Sequence, residues 1–257
     1  MSQAPQSIEE TKLNWLPRLP IEQPTNYRLK NYDIERINRR IARKYLNRHR
    51  NLLRSWIRIC THTPETTVKG SPKDILEFST AHGAMLELWR ALGHNVHGTD
   101  YAMDPSQLRA FKPLDDKTRD CLERSHSYEV RPEVPGWIYQ PIIESLNLDV
   151  TLFDASKLPY PFEDNSFDIV VCYQAIDAYA EPYDWTKITD EFCRIARSTV
   201  VIGFNATPIK QPMAHSAKGW EALRTYNRNG FRNIVFEIEH SRRGYHPTAC
   251  RLEYVGV

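Results

Sequence analysis

ILEFSTAHGAMLELWRALGHNVHGTD, residues 75–100, is the stretch whose reading sets the fold. An apolar run closes on an acid, Glu77. A short turn follows, then a segment with helical spacing, then a second apolar run closing on Asp100. Strand, helix and strand in so short a span predict a βαβ unit, the building block of a parallel sheet. The turn carries small residues at alternate positions, Ser79, Ala81 and Gly83. Small side chains let a backbone approach a ligand closely, because a larger group would fill the space. Serine and alanine keep that space but lose glycine's freedom of φ, which matters wherever the turn needs φ > 0. A GxGxxG dinucleotide fingerprint is absent. Asp100 stands 17 residues after Gly83, near the spacing at which a carboxylate accepts from ribose hydroxyls. Tight packing of helix on strand accounts for small residues equally well, so this unit alone leaves cofactor binding and plain packing both open.

Outward from this unit the same texture continues. DILEF, HNVHGTD, NLDVTLFDA, FDIVVCY and STVVIGF are short apolar runs with helical patterns between several of them. Strands alternating with helices predict an α/β fold with a parallel sheet covered on both faces. The runs end in Glu77, Asp100, Asp154, Tyr173 and Asn205. Ligands of open α/β sheets bind beyond the carboxyl ends of the strands, so the candidate chemistry collects on one edge. Near the C-terminus RNIVFEIEH and TACRLEYVGV flank SRRGYHP, which predicts an antiparallel hairpin finishing the sheet.

Residues 1–30 hold Pro5, Pro17, Pro20 and Pro24 with little periodicity and read as an extended arm lying on the domain. In the following segment Ile34, Ile37, Ile41, Tyr45, Leu52, Trp56 and Ile59 fall near a helical period, giving an amphipathic helix or helical pair. Between Arg36 and Arg58 there are nine Lys or Arg and no acid, in a chain whose net charge is only +2. Such a face suits an anionic partner such as RNA or a membrane face. A solvated helix facing an acidic body is the plainer alternative, favoured because no aromatic side chains interleave the basic face to stack bases. The boundaries expected are an arm with basic helices over 1–67 and an α/β domain over 68–257, with an insertion about 102–147.

Composition narrows the class. No apolar run approaches the roughly 20 residues that span a bilayer, and the polar, acidic start MSQAPQSIEE is unlike a secretory signal. The five cysteines are scattered and form no CxxC pair. Neither a disulfide framework nor a zinc site is expected, and a cytoplasmic location is the default. His94 and His97 are three apart in an expected strand, which points them to opposite faces and argues against a metal.

ILEFSTAHG, then GHNVHGTDYA, then DASKLPYPFEDNSFDIVVCYQAIDAYAEP together resemble the class I S-adenosylmethionine-dependent methyltransferases, in the branch called methyltransferase type 11. LPYPFEDNSFDIVV, residues 158–171, is the most specific element, matching the family's L-P-F-x-D-x-S-F-D-x-V almost without gaps. The resemblance covers about 70–205, with the C-terminal hairpin matching the family's last two strands. It implies a Rossmann-like, doubly wound, seven-stranded, mostly parallel sheet ending in an antiparallel hairpin, with the N-terminal helices as an extension. It also implies S-adenosylmethionine as cofactor. By position, Glu77, Ser79, Ala81 and Gly83 would hold its methionine end and Asp100 its ribose, with Tyr101 packing on adenine. Asp154 would accept from the adenine amino group with Ala155 beside it, and Cys172 and Tyr173 would lie near the transferred methyl. Asp168 is expected to support the start of its strand. The chain departs from the pattern at two turn glycines, at Asp177 and Ala178 where many members carry a His pair, and at IARSTVVIGF where an L-K-P-G-G turn is usual.

Methyl transfer from a sulfonium is an in-line displacement with an activated leaving group, so the protein mainly positions and desolvates. A base is needed only where the acceptor loses a proton. The N/D-P-P-Y tetrapeptide of nucleobase-amine methylation is missing where FDIVVCYQAI stands. Tyr173, Gln174, Asp177 and Tyr179 are the candidates facing the acceptor, with core packing for Tyr179 and a helix cap for Asp177 as plainer roles. PGWIYQP, within the long segment between Asp100 and Asp154, has the character of a lid over a small acceptor, shared with the N-terminal helices. The leading expectation is therefore methylation of an O or N on a small molecule. The alternatives are an RNA or protein methyltransferase using residues 36–58, or a non-catalytic cofactor-binding homologue.

Overall fold

The computed structural model describes residues 17–21, 25–31, 43–68, 70–101, 137, 139–205, 213–241 and 244–256. Most of the expected insertion and part of the basic segment lie outside the described residues. The strands are β1 (Asp74–Phe78), β2 (Asn95–Asp100), β3 (Val150–Leu152), β4 (Phe167–Tyr173), β5 (Ala196–Gly203), β6 (Asn227–Arg228), β7 (Phe231–Ser241) and β8 (Gly244–Tyr254). The helices are α1 (Arg48–His62), α2 (Ala84–Ala91), α3 (Gln140–Leu146), α4 (Ile176–Tyr179), α5 (Trp185–Ile195) and α6 (Met213–Arg224).

The strands form a single sheet in the order β3-β2-β1-β4-β5-β8-β7-β6. The first five are parallel, and β8 pairs antiparallel with both β5 and β7. This is the expected doubly wound sheet with its C-terminal hairpin, and the strand count is the one correction. An eighth strand, β6, adds two residues to the outer edge beside β7, too short for any apolar pattern to announce it.

Alternation along the strands divides the core in two. Leu76, Val170, Cys172, Val200 and Ile202 face α5 and α6 with Phe192 and Leu223. Ile75, Ile169, Val171 and Val201 face the other way, against Leu52, Trp56 and Ile59 of α1 and Leu86 and Trp89 of α2. The basic N-terminal helix is thus one wall of the core. Its apolar positions follow the i, i+4, i+7 stripe that a core-facing helix needs, and Asn47 caps it by accepting from the Arg50 amide at 3.0 Å. The Trp56 indole donates to the Pro17 carbonyl at 2.7 Å, fixing a piece of the arm onto α1. At the far end Arg251 of β8 donates to the His62 carbonyl at 2.6 Å and to Glu65 at 3.0 Å.

The unusual IARSTVVIGF junction is resolved by removing the loop. α5 ends at Ile195 and β5 begins at Ala196, and the strand register shifts between Phe167 and Ile169 to absorb the change. Arg194 and Arg197 hold the junction, the first donating to the Phe162 carbonyl at 2.8 Å and the second to Asp168 at 2.8 Å. Asp168 also accepts from the Asp74 amide at 2.8 Å. It therefore sits at the amino ends of β1 and β4, away from the ligand edge.

Backbone geometry explains which glycine the first turn kept. Ser79, Ala81 and Gly83 all have positive φ, at 58°, 51° and 71°. Only at Gly83 would a Cβ also press on packed neighbours, at 2.6 Å from Leu148 Cδ1 and 2.7 Å from Ile143 Cδ1. Gly83→Ala is expected to cost about 1–3 kcal/mol of stability through left-handed strain and crowding. Ala81→Gly should instead be neutral or stabilising by up to about 1 kcal/mol, since relief of strain is offset by the flexibility of glycine in the unfolded chain. Urea denaturation of both variants checks this, and equal effects of the same sign would contradict it.

Candidate active site

The carboxyl ends of β1, β2, β4 and β5 open into a cavity of about 840 Å³. Of the residues singled out in the sequence, Glu77, Ser79, Ala81, Asp100, Tyr101, Asp154, Ala155, Tyr173, Gln174 and Tyr179 line it. Three others do not. Gly83 lies behind the turn against Leu148 and Ile143. Cys172 is fully buried in the core, with its sulfur 3.6 Å from the Tyr179 hydroxyl, because odd and even positions of a strand face opposite ways. Asp177 caps no helix and instead accepts from the Asn205 amide and side chain, both at 2.9 Å. It ties α4 to the end of β5, and Asn205 takes its place on the wall.

The first turn is held from beneath. Thr80 N–H donates to the Thr99 carbonyl at 2.9 Å, and Ala81 N–H donates to Asp100 Oδ2 at 2.9 Å. Asp100 Oδ1 accepts from Tyr101 N–H at 2.8 Å. These bonds supply what the missing glycines would have supplied freely, a turn that stays in its left-handed conformation. Burial pushes the Asp100 carboxyl up to about 6 against the pull of the two amides, which leaves it largely ionised at pH 7.

Glu77 is buried at 6% exposure, and its Oε2 has no hydrogen-bond partner among the described residues. Burial pushes its carboxyl up to about 8, with Arg58 pulling it down and Asp100 pushing further up. An orphaned carboxylate oxygen aimed at a cavity is poised for a cationic or donating ligand group. Asp154 behaves differently. Burial raises it, but the Ser156 hydroxyl and amide at 2.6 and 3.0 Å, together with Lys157, hold it below the usual carboxylate range.

On the other side β4 is followed by a strained residue. Gln174 has φ 55°, and its amide donates to the Gly203 carbonyl at 2.7 Å while Asn205 donates to its carbonyl at 2.9 Å. Arg58 donates to the Gln174 side chain and lies 5.1 Å above the Tyr173 ring. The Tyr173 hydroxyl is bonded to His62 Nδ1, whose Nε2 is 3.2 Å from Glu237. Strain held in place by so many contacts is a common mark of a working site.

As expected, the N-terminal helix and the PGWIYQP stretch contribute to the cavity wall opposite the strands, although sequence reasoning named none of their residues for the site. Tyr45, Arg50, Asn51, Arg54, Ser55 and Arg58, from α1 and the turn before it, line the cavity, as do His82 of the first turn and Tyr139 of the PGWIYQP stretch. The arginines recur every four residues, a spacing readable in the sequence. What could not be read was that this stripe looks into the cavity beside Trp56 and Ile59. His94 and His97 part as expected. The first bonds the Thr66 carbonyl at 2.8 Å, and the second bonds Asp149 at 2.8 Å and Thr151 at 2.9 Å. No described helix is long and apolar enough to cross a membrane.

Residues 135–202 match the family model for the methyltransferase domain. Over these residues the chain is similar to the methyltransferase domain family. S-adenosylmethionine is the methyl donor of that family. No curated protein matches the chain in sequence. Among solved structures, the PH0226 protein of Pyrococcus horikoshii OT3 is 14% identical with TM-score 0.50, covering 88% of this chain and 98% of its own; this likeness shows the fold. Magnesium protoporphyrin IX methyltransferase of Synechocystis PCC 6803, with bound S-adenosylmethionine, is 11% identical with TM-score 0.44, over 96% of this chain and 91% of its own. The 1,6-didemethyltoxoflavin-N1-methyltransferase of Burkholderia thailandensis is 13% identical with TM-score 0.44, over 79% of this chain and 78% of its own.

The buried acid of this domain gives a stability test. A carboxyl whose folded pKa is raised contributes stability that is full below its unfolded pKa and lost as pH rises through the folded one. For Glu77 that window runs from 4.5 to about 8. Glu77→Gln has no such titration, so it should gain on the wild type across the window by at most about 1.4 kcal/mol per pH unit. Denaturation of cofactor-free protein at pH 5 and pH 8.5 reads the gap; a gap independent of pH would contradict the burial of an isolated acid here.

Proposed function

We propose that this domain transfers the methyl group of S-adenosylmethionine to an oxygen or nitrogen of a small-molecule acceptor. The observation that carries the reading is one cavity of about 840 Å³ with acids and the first turn on one side and the α1 wall on the other. Its size lies within the roughly 300–1,000 Å³ typical of small-ligand sites. Cofactor and acceptor can therefore lie in one enclosure, as direct transfer requires. The arginines of α1 turn toward this enclosure, which supports a small acceptor over an RNA on the outer surface.

The residues present fit the cofactor. Glu77 offers its orphaned oxygen to the methionine ammonium, which would draw the carboxyl into its ionised form. Each oxygen of Asp100 accepts one backbone amide and, with about two lone pairs each, has capacity left for a ribose hydroxyl. Asp154, held ionised by its neighbours, suits the adenine amino group, with Tyr101 and Ala155 alongside. The small residues at Ser79 and Ala81 leave room for the backbone to come close.

S-adenosylmethionine supplies a methyl group on a positively charged sulfur, so the leaving group is already activated. The chain then has to align the acceptor, exclude water and receive a proton where the acceptor carries one. Gln174, fixed in a strained conformation, is positioned to orient the acceptor atom, while Tyr179 at the end of α4 lines the adjoining wall with its hydroxyl held by the Cys172 sulfur. Tyr173 is turned back onto His62 and Arg58, which makes it a structural wall of the methyl end. Asp177 acts through Asn205 as a positioning residue.

Calorimetry with S-adenosylmethionine tests this reading. Binding is expected, and Asp100→Ala should weaken it by about 1–3 kcal/mol, the scale of charge-assisted hydrogen bonds lost together with the support of the turn. Absence of heat or of a thermal shift at millimolar cofactor would overturn the enzyme reading. Unchanged affinity in the variant would overturn the placement of the ribose.

A further inference from the structure

Tyr139 stands immediately before α3, and its carbonyl accepts the Ile143 amide at 3.0 Å, so the first turn of that helix fixes its backbone. Its ring meets Tyr45 edge-on at 5.9 Å and Trp137 edge-on at 6.1 Å, centroid to centroid. With Tyr27, Trp137, Ile142 and Ile143 it forms a small core, against which Ala81 of the first turn and Leu148 pack. These contacts hold the ring in one place.

The hydroxyl is not accounted for by this packing. Tyr139 is only 2% exposed and lines the cavity, yet its hydroxyl has no hydrogen-bond partner among the described residues. A buried hydroxyl left unsatisfied is costly and rare, and phenylalanine would fill the same space without that cost. Among the described residues, two that line the cavity carry an orphaned buried polar atom, Glu77 and Tyr139. The first is a carboxylate oxygen and suits the cofactor's ammonium. The second is a phenol that burial holds well above its ordinary pKa, so at neutral pH it is an O–H donor aimed at something that accepts.

Its neighbours place it beside the turn and Asp100. Ala81 packs on the core that holds Tyr139, and the Ala81 amide is bonded to Asp100 Oδ2 at 2.9 Å. Tyr45, the ring against which Tyr139 rests, lies 5.8 Å from His82, the next residue of the turn. An ionised carboxylate only accepts, so Asp100 takes the hydrogens of a diol and leaves the lone pairs of its oxygens unserved. A neutral phenol supplies the donor that the carboxylate lacks. Resting on the methyl-transfer reading above, we infer that the Tyr139 hydroxyl donates to a ribose hydroxyl oxygen of S-adenosylmethionine, beside Asp100. Carboxylate and phenol then recognise the diol from two sides, one accepting and one donating. The PGWIYQP stretch, expected as a lid over the acceptor, serves the methyl donor through this residue.

The test uses full-length protein and Tyr139→Phe, which keeps the ring and removes one oxygen. Urea denaturation without ligand should find the variant as stable as the wild type or more so, because the missing oxygen satisfied nothing there. A less stable variant would mean that the hydroxyl already has a partner, and would overturn the inference. Calorimetry then compares S-adenosylhomocysteine with 5′-methylthioadenosine, which carries ribose and adenine but no amino acid. Both should bind the wild type, and both should lose at least about fivefold in affinity in the variant, where a ribose oxygen is left without its donor. No binding of S-adenosylhomocysteine to the wild type would bring down the methyl-transfer reading and the contact with it. A smaller loss of S-adenosylhomocysteine affinity in the variant would overturn the contact while leaving methyl transfer intact. Methylthioadenosine that fails to bind the wild type, or that binds both proteins alike, would move the affinity to the amino-acid end and overturn the ribose assignment.

Discussion

The Asp100 carboxylate is the constraint on which the ligand edge depends. One of its oxygens holds the Ala81 amide and the other holds Tyr101, so the end of β2 and the turn after β1 are fixed against each other. That turn passes through three left-handed residues, two of which carry side chains. Each of these two is strained by an amount comparable to a hydrogen bond, and the bonds from Ala81 to Asp100 and from Thr80 to Thr99 offset it. On the proposed reading the same carboxylate would receive a ribose, which would couple the shape of the turn to the affinity of the site through one side chain.

A second dependence runs through α1. Its apolar stripe completes the core on one face of the sheet, and its basic stripe looks into the cavity. Because packing fixes the rotation of the helix, it also fixes where the guanidinium groups point. The Arg251 bonds to His62 and Glu65, and the Tyr173–His62–Glu237 chain, pin the far end of α1 to β4, β7 and β8. One side of the cavity is thus built by an element outside the sheet, while the side that carries the acids is built by the strand ends.

The fold was largely legible because apolar runs alternating with helical periods admit few arrangements other than a doubly wound sheet. β6 escaped notice because two residues carry no period. In the candidate site, the strand-end acids could be read from the pattern alone, since each closes an apolar run. Gly83, Cys172 and Asp177 were assigned by position in a motif, and the cavity wall bypasses all three. Gly83 serves close packing, Cys172 points into the opposite face of the sheet, and Asp177 is taken by Asn205. The arginine stripe was visible as charge, but its direction depends on which side of α1 meets the core, and no single segment states that. The φ values of Ser79 and Ala81 were the open question of the first turn. Their positive sign means the turn keeps the glycine conformation without the glycines.

The most direct test of this account is a crystal structure of the protein with S-adenosylhomocysteine bound. The account predicts the homocysteine ammonium at Glu77, the ribose on Asp100, the adenine beside Tyr101 and Asp154, and the sulfur facing the compartment walled by Gln174 and Arg54, with Ser79 and Ala81 still at positive φ. A nucleoside bound elsewhere, or a turn that must rearrange and release Asp100 to admit it, would contradict the account.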